Sequence, residues 1–222
     1  MISSKPLAVI VASGGLDSCI AAAVAAQTHR TAMFHVQYGQ RTAERELKAF
    51  HAIADAIGSS LRLVIPMTHF SLIGGSALTD PGQPVLDTPD QAIPVTYVPF
   101  RNANLLAAAV AWAEVIGAEK IYTGINQVDW SGYPDCTQAF LDAFNFLVAK
   151  GTRPETHIKV VAPLMNLSKQ AIVALGLKID APLHLSWSCY QNSDKACGVC
   201  DSCRLRLDGF AKNNAEDPIL YA

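Results

Sequence analysis

The chain alternates short, continuous apolar runs with longer stretches of helical periodicity. Leu7–Ala12, Thr31–Gln37, Leu61–Ile65, Lys120–Thr123 and Ile158–Val161 have strand length and read as buried strands. Between them, Ser18–Gln27, Ala43–Ile57, Asn104–Ile116, Thr137–Lys150 and Ser168–Leu175 read as helices. In the second helix Leu47, Phe50, Ile53, Ala54 and Ile57 share one face, and Gly58 closes it. In the fourth, Phe140, Phe144 and Leu147 point inward, and Ser168 caps the fifth. Buried strands alternating with helices predict an α/β fold with a doubly wound, mostly parallel five-stranded sheet. Residues 66–103 break this rhythm. They are rich in proline and glycine and show only a possible short strand near Val95–Val98, so a functional loop is expected there.

Ligands of such sheets bind outside the carboxyl ends of the strands. Three turns of interest follow strands at that edge: Ser13-Gly14-Gly15, Tyr38-Gly39-Gln40-Arg41 and Gly124-Ile125-Asn126. The first belongs to Ser13-Gly-Gly-Leu-Asp-Ser18, set between a strand and an alanine-rich helix. Gly14 and Gly15 let the backbone approach an anion, while the helix adds unpaired N–H groups and its positive end. Ser13 and Ser18 supply hydroxyls. Asp17 repels phosphate unless a divalent cation lies between them. The plain alternative is a turn with Asp17 or Ser18 as N-cap. The string is neither a Walker A loop, since no Gly-Lys-Ser/Thr follows, nor a dinucleotide Gly-x-Gly-x-x-Gly.

Composition narrows the setting. At 222 residues the chain is long enough to bury a core, and its net charge of −2 gives no sign of a nucleic-acid face. The longest apolar stretch, Leu105–Ala113, is too short to span a bilayer, and no secretory signal is visible. A cytoplasmic location is therefore expected. The size and apolar fraction permit a homodimer.

Six cysteines in such a chain do not suggest a disulfide framework. Cys19 and Cys136 read as small buried hydrophobes. Cys189, Cys197, Cys200 and Cys203 crowd together with two-residue spacers between the last three, which is the pattern of a closed tetrahedral Cys₄ zinc site. An iron–sulfur cluster and redox thiols are the alternatives. Arg204 and Arg206 either offset the thiolate charge or face solvent.

Taken in order, Ser13-Gly-Gly-Leu-Asp-Ser18, Tyr38-Gly-Gln-Arg41, Tyr97-Val-Pro-Phe-Arg-Asn102, Ser131-Gly-Tyr-Pro-Asp-Cys136, Pro163-Leu164 with Leu167-Ser-Lys169, and Trp187-Ser-Cys-Tyr190 resemble the 7-cyano-7-deazaguanine synthase family of PP-loop ATP pyrophosphatases. Ala12 and Cys19 depart from the usual pattern at positions that affect packing. The resemblance implies an adenine nucleotide alpha hydrolase-like fold, with residues 1–180 as the nucleotide-binding domain and 181–222 as a zinc-binding segment packed on it. It also implies a reaction: 7-carboxy-7-deazaguanine, ammonia and ATP give the nitrile, on the route to the queuosine base of tRNA.

By position, Val11, Ala12, Ser13, Gly14, Gly15, Leu16, Asp17, Ser18 and Cys19 would hold ATP, with Mg²⁺ beside Asp17. Asp17, Arg101 and Lys169 would be catalytic. Gln40, Arg41, Asn126 and Asp135 would meet the substrate. Arg101 and Arg41 offer bidentate forks to a carboxylate or phosphate, each set against a surface ion pair. Asp129 and Asp135 either accept from the deazaguanine N–H edge or are turn residues; Gln127 shares the ambiguity of Asn126. Lys169 reaches phosphate or is solvated, and His35 packs. The expected partners are small molecules, with neither nucleic acid nor membrane. Three rival readings are a PP-loop tRNA-thiolating enzyme, which needs an exposed reactive cysteine and a basic face, an amide-forming relative, and a zinc-stabilised nucleotide-binding module without turnover.

Overall fold

The computed structural model describes residues 5–80, 82–83, 93–128 and 132–222. Asp129 and Ser131 lie outside the described residues. Strands β1 (Leu7–Val11), β2 (Arg30–Gln37), β3 (Leu61–Pro66), β4 (Lys120–Thr123) and β5 (Lys159–Val161) form one sheet. Every pairing is parallel, and the order is β3-β2-β1-β4-β5. The chain winds outward from β1 to β3 and then crosses back to β4. The topological switch point therefore lies between β1 and β4, where an open α/β sheet leaves a crevice at its carboxyl edge.

The helices are α1 (Leu16–Thr28), α2 (Ala43–Ala56), α3 (His69–Ile73), α4 (Arg101–Ile116), α5 (Gln138–Gly151), α6 (Lys169–Lys178) and α7 (Asp201–Ala211). Side-chain alternation along β1 divides them into layers. Leu7 and Val9 face Leu106 and Ala109 of α4 and Phe144 and Val148 of α5. Ala8 and Ile10 face Cys19 and Ala22 of α1 and Phe50 and Ile53 of α2. With both faces covered, the strands carry continuous apolar runs rather than alternating ones. No helix among the described residues is long and apolar enough to cross a membrane.

The five expected strands and five expected helices are all present, with ends moved by about three residues at most. Three details differ. Leu147 is 61% exposed, because α5 packs through a Leu141, Phe144 and Val148 stripe rather than one through Phe140 and Leu147. Residues 95–98 are turn and loop, not strand, although the Val95 carbonyl accepts from Ala77 N at 2.9 Å. The tail, which lacks clear periodicity in sequence, contains α7, packed on α6 through Phe210, Ile172 and Val173.

Candidate active site

A cavity of about 590 Å³ opens at the switch point. Val11 to Ser13 and Gly15 to Ser18 at the end of β1 and Thr123 to Asn126 at the end of β4 line it, with Phe34, Val36 and Tyr38 of the β2 edge. The phosphate loop is shaped by contacts from both sides. Gly14 sits at φ +88°, and a Cβ there would lie 2.5 Å from the Glu46 carbonyl oxygen. The Gly14 carbonyl accepts from Trp187 N at 2.8 Å, so the C-terminal segment fastens the loop. Gly15, not Asp17 or Ser18, is the N-cap of α1, and no side chain caps it. Ser18 Oγ instead donates back to the Gly15 carbonyl at 3.0 Å and lies 3.3 Å from Ser13 Oγ. The first-turn N–H groups of α1 are thus left for an anion.

Gly124 closes the other wall. A Cβ at this position would lie 2.8 Å from Ser18 N and 2.9 Å from the Asp17 carbonyl carbon. Gly124→Ala is therefore expected to push β4 off the loop. An overpacking cost of about 1–3 kcal/mol corresponds to roughly 5- to 140-fold weaker ATP binding if it falls wholly on the bound state, at about 1.4 kcal/mol per decade. Calorimetric titration with ATP checks this; unchanged affinity would show that the loop tolerates the displacement.

Lys169, the first residue of α6, spans the cavity edge to Asp17, with Nζ 2.8 Å from each carboxylate oxygen. Ser168 caps α6 by accepting from Ala171 N. The lysine is mostly buried and ion-paired, not solvated. Asp17 and Lys169, distant in sequence, form one unit at the phosphate loop.

Arg101 opens α4 directly after Phe100, which takes the left-handed conformation at φ 55°. That conformation costs a bulky residue about 1–3 kcal/mol and recurs where a functional side chain must be aimed. The guanidinium reaches the cavity, donates to Tyr38 Oη at 2.9 Å and lies over the Tyr38 ring. Among the described residues no carboxylate pairs with it. The Arg101 fork is therefore available to an anionic ligand.

The other predicted contacts have different surroundings. Arg41 donates to the carbonyls of Ala77 and Asp80, at 3.1 and 2.9 Å, and to that of Gln83, so it ties these three residues together and is not among the residues lining the cavity. Gln40 is buried, accepting from Tyr38 N and donating to Glu46. Asn126 lines the cavity but spends its amide on the carbonyls of Leu164 and Leu167, at 2.8 and 2.6 Å. Asp135 is buried off the cavity and accepts from Asn102 N at 2.8 Å, tying the start of α4; burial raises its pKa despite that bond. Gln127 donates to Asn166. His35 is packed, its Nδ1 2.9 Å from the Ala12 carbonyl, and burial lowers its pKa, keeping it neutral. Cys19 is buried, whereas Cys136 is only partly so and lines the cavity.

Tyr38, Glu46, Tyr133 and Tyr190 also line the cavity and were not singled out by sequence. The three tyrosines stand inside the quoted motifs, so aromatic residues in those loops were the available signal. Glu46 lies in the first turn of α2, where an acid reads simply as a complement to the helix dipole.

The four tail cysteines come together, with their sulfurs all within 4.8 Å of one another and Cys197 and Cys203 3.9 Å apart. A tetrahedral ion with bonds of about 2.3 Å to sulfur has an S–S edge of about 3.8 Å. Backbone N–H groups of Gln191, Asn192 and Cys197 point at Cys189 Sγ, and Cys200 N at Cys197 Sγ, as suits thiolate ligands. The residues fit a metal ion. Arg206 neither offsets these sulfurs nor faces solvent. It is buried, paired bidentately with Asp217 at 2.7 and 2.9 Å and bonded to Ser186 Oγ. Removing one partner of such a pair leaves a buried charge uncompensated, at about 3–5 kcal/mol. Arg204 pairs with Asp201 near the surface.

A parallel sheet with an uncapped glycine loop at its switch point, an arginine facing the same cavity and a four-cysteine tail define an α/β protein with a candidate site for an anionic ligand. More narrowly, the chain belongs to the QueC family of queuosine biosynthesis proteins, which matches residues 7–214. It is 51% identical over 217 residues to the 7-cyano-7-deazaguanine synthase of Chlorobaculum parvum, covering 96% of each chain. It is 52% identical over 221 residues to that of Koribacter versatilis, covering 97% of this chain and 93% of the relative. Among solved structures, NMN synthetase from Francisella tularensis aligns over 82% of this chain and 64% of its own, at 17% identity and a TM-score of 0.48, too distant to bear on the chemistry.

Proposed function

We propose that this protein is an ATP-dependent ligase that converts 7-carboxy-7-deazaguanine and ammonia into 7-cyano-7-deazaguanine, in queuosine biosynthesis. One juxtaposition carries the reading. An uncapped helix N-terminus suited to phosphate and an Arg101 fork without a carboxylate partner open into the same cavity. A carboxylate resists ammonia because its leaving group would be oxide. Transfer of an adenylyl or phosphoryl group supplies a leaving group, ammonia then forms the amide, and activation of the amide oxygen leads to the nitrile. Such a reaction needs the triphosphate and the acid side by side, with their charge neutralised in place.

Each residue then has a task. The N–H groups of Leu16, Asp17 and Ser18 receive phosphate, assisted by the Ser13 and Ser18 hydroxyls. Lys169 compensates Asp17 in the absence of ATP and meets phosphate in its presence, which frees Asp17 for the Mg²⁺ that accompanies the nucleotide. Arg101 holds the substrate carboxylate, and Tyr133 and Tyr190 offer aromatic faces to the flat deazaguanine ring. Gln40, Arg41, Asn126 and Asp135 act one step back, by fixing the loops from which these groups project. The metal of the cysteine cluster is zinc, held closed by Cys189, Cys197, Cys200 and Cys203, and its part is structural.

The test is incubation of the protein with ATP, Mg²⁺, ammonium and 7-carboxy-7-deazaguanine, with products read by mass. Amide and nitrile are expected. ATP binding without either product would overturn the reading.

A further inference from the structure

Three carboxyl side chains line the cavity: Asp17, Asp201 and Glu46. Asp17 lies 2.8 Å from Lys169, and Asp201 lies 2.8 Å from Arg204. Glu46 has no ion-pair partner among the described residues. Its oxygens accept one neutral hydrogen bond each, from Thr42 Oγ1 at 2.8 Å and from Gln40 Nε2 at 3.1 Å. Each oxygen therefore keeps acceptor capacity. The residue is also fixed in place, because its carbonyl lies directly beneath Gly14 of the phosphate loop. From α4 the Arg101 cation bears on the carboxyl, from the end of β2 the Tyr38 phenol does so, and the phosphate loop presents the neutral backbone of Gly14. The neighbouring Arg45 lies over the Trp187 ring. Burial raises the Glu46 pKa, while the bonds from Thr42 and Gln40 and the charge of Arg101 pull it back in part.

A carboxyl that lines the cavity, keeps acceptor capacity on both oxygens and has no ion-pair partner among the described residues suits a cationic ligand. The cation of the proposed reaction is ammonium, which has no lone pair with which to attack. We propose that Glu46 binds ammonium and takes its proton, making it the base that delivers ammonia to the activated carboxyl. The inference rests on the ligase reading above. One proton passes from NH₄⁺ to the Glu46 carboxylate, giving NH₃ and a carboxylic acid. The NH₃ lone pair forms the C–N bond as the C–O bond to the phosphoryl group breaks. The second proton goes from the new nitrogen to the departing phosphoryl oxygen, and the Glu46 acid returns its own to solvent through the open cavity.

Hydroxylamine separates this step from activation, since it is largely neutral near pH 7 and traps activated carboxyl groups as hydroxamates. With Glu46→Gln, amide formation from ammonium at about pH 7 is expected to fall by about 10²-fold or more. Hydroxamate formation should fall no more than a few-fold, and the amide defect should shrink toward about pH 9, as free ammonia accumulates. Equal loss with both nucleophiles, or a defect independent of pH, would overturn the role. A second measurement needs no variant: the wild-type rate per total ammonium should level off above the Glu46 pKa. A rise of about tenfold per pH unit that continues without levelling up to the pKa of ammonium, tracking free ammonia, would overturn it as well. Wild-type protein that makes neither amide nor hydroxamate would instead refute the ligase reading itself.

Discussion

Asp17→Ala is expected to abolish nitrile formation while leaving the cysteine-bound metal in place. The loss should be at least about 10³-fold in kcat, comparable to removing a preorganised charge-stabilising group from other active sites. Two consequences of the structure set this expectation. Asp17 holds Lys169 at 2.8 Å on both oxygens, so its removal releases the lysine from the position it takes at the phosphate loop. The same carboxylate is the acidic side chain of that loop, and on the reading proposed above it would be the residue that holds the cation accompanying ATP. ATP binding should survive, because the α1 N–H groups are backbone donors and a freed Lys169 attracts phosphate. Single-turnover product formation, ATP titration and metal analysis together check the result. Turnover within tenfold of wild type would remove Asp17 from the chemistry.

Cys200→Ser should act in the opposite way, costing metal and solubility together. Cys200 is buried and is the N-cap of α7, and Cys203 stands in the first turn of that helix. A closed four-sulfur site has no spare ligand. The apparent binding energy of a structural zinc, about 10–16 kcal/mol in small zinc-binding peptides, is as large as the whole stability of a typical domain, about 5–15 kcal/mol. The damage should spread beyond the cluster. The α7 helix carries Arg206, whose bonds to Asp217 and Ser186 hold the segment just before Trp187, and Trp187 N bonds the Gly14 carbonyl. Metal loss would therefore loosen the phosphate loop as well as the tail. Metal content, melting temperature and soluble yield are the measurements; a variant with full metal and an unchanged melting point would show that three sulfurs suffice.

Much of this was legible in the chain. The sheet was readable because strands buried on both faces show as continuous apolar runs, and the cysteine cluster because metal-ligand spacing is local. The glycine loop was readable as a strand-to-helix junction, since that setting is local too. What sequence could not supply was which of several polar residues on one loop points inward. Gln40 and Arg41 look like ligands by type, yet one is buried against Tyr38 and Glu46 and the other grips the carbonyls of Ala77 and Asp80. Arg206 was open between a counter-ion to the thiolates and a solvent-facing residue, and it is paired instead with an aspartate that adjacent spacing gives no reason to choose.

The sequence by itself determined the parallel α/β class, the glycine loop between strand and helix, and a tail whose four cysteines could hold a metal ion. Each depends on residues close together in the chain, where periodicity, turn chemistry and ligand spacing act directly. The tertiary structure alone decided the Asp17–Lys169 pair, the placing of Arg101 on Tyr38 with no carboxylate partner among the described residues, the lack of an ion-pair partner for Glu46 among those residues, and the bond from Trp187 to the glycine loop. These are encounters between distant segments, made by the crossing of the chain at the switch point between β1 and β4 and by the packing of α7 on α6. Charge partners are chosen by that packing, and no local pattern encodes them.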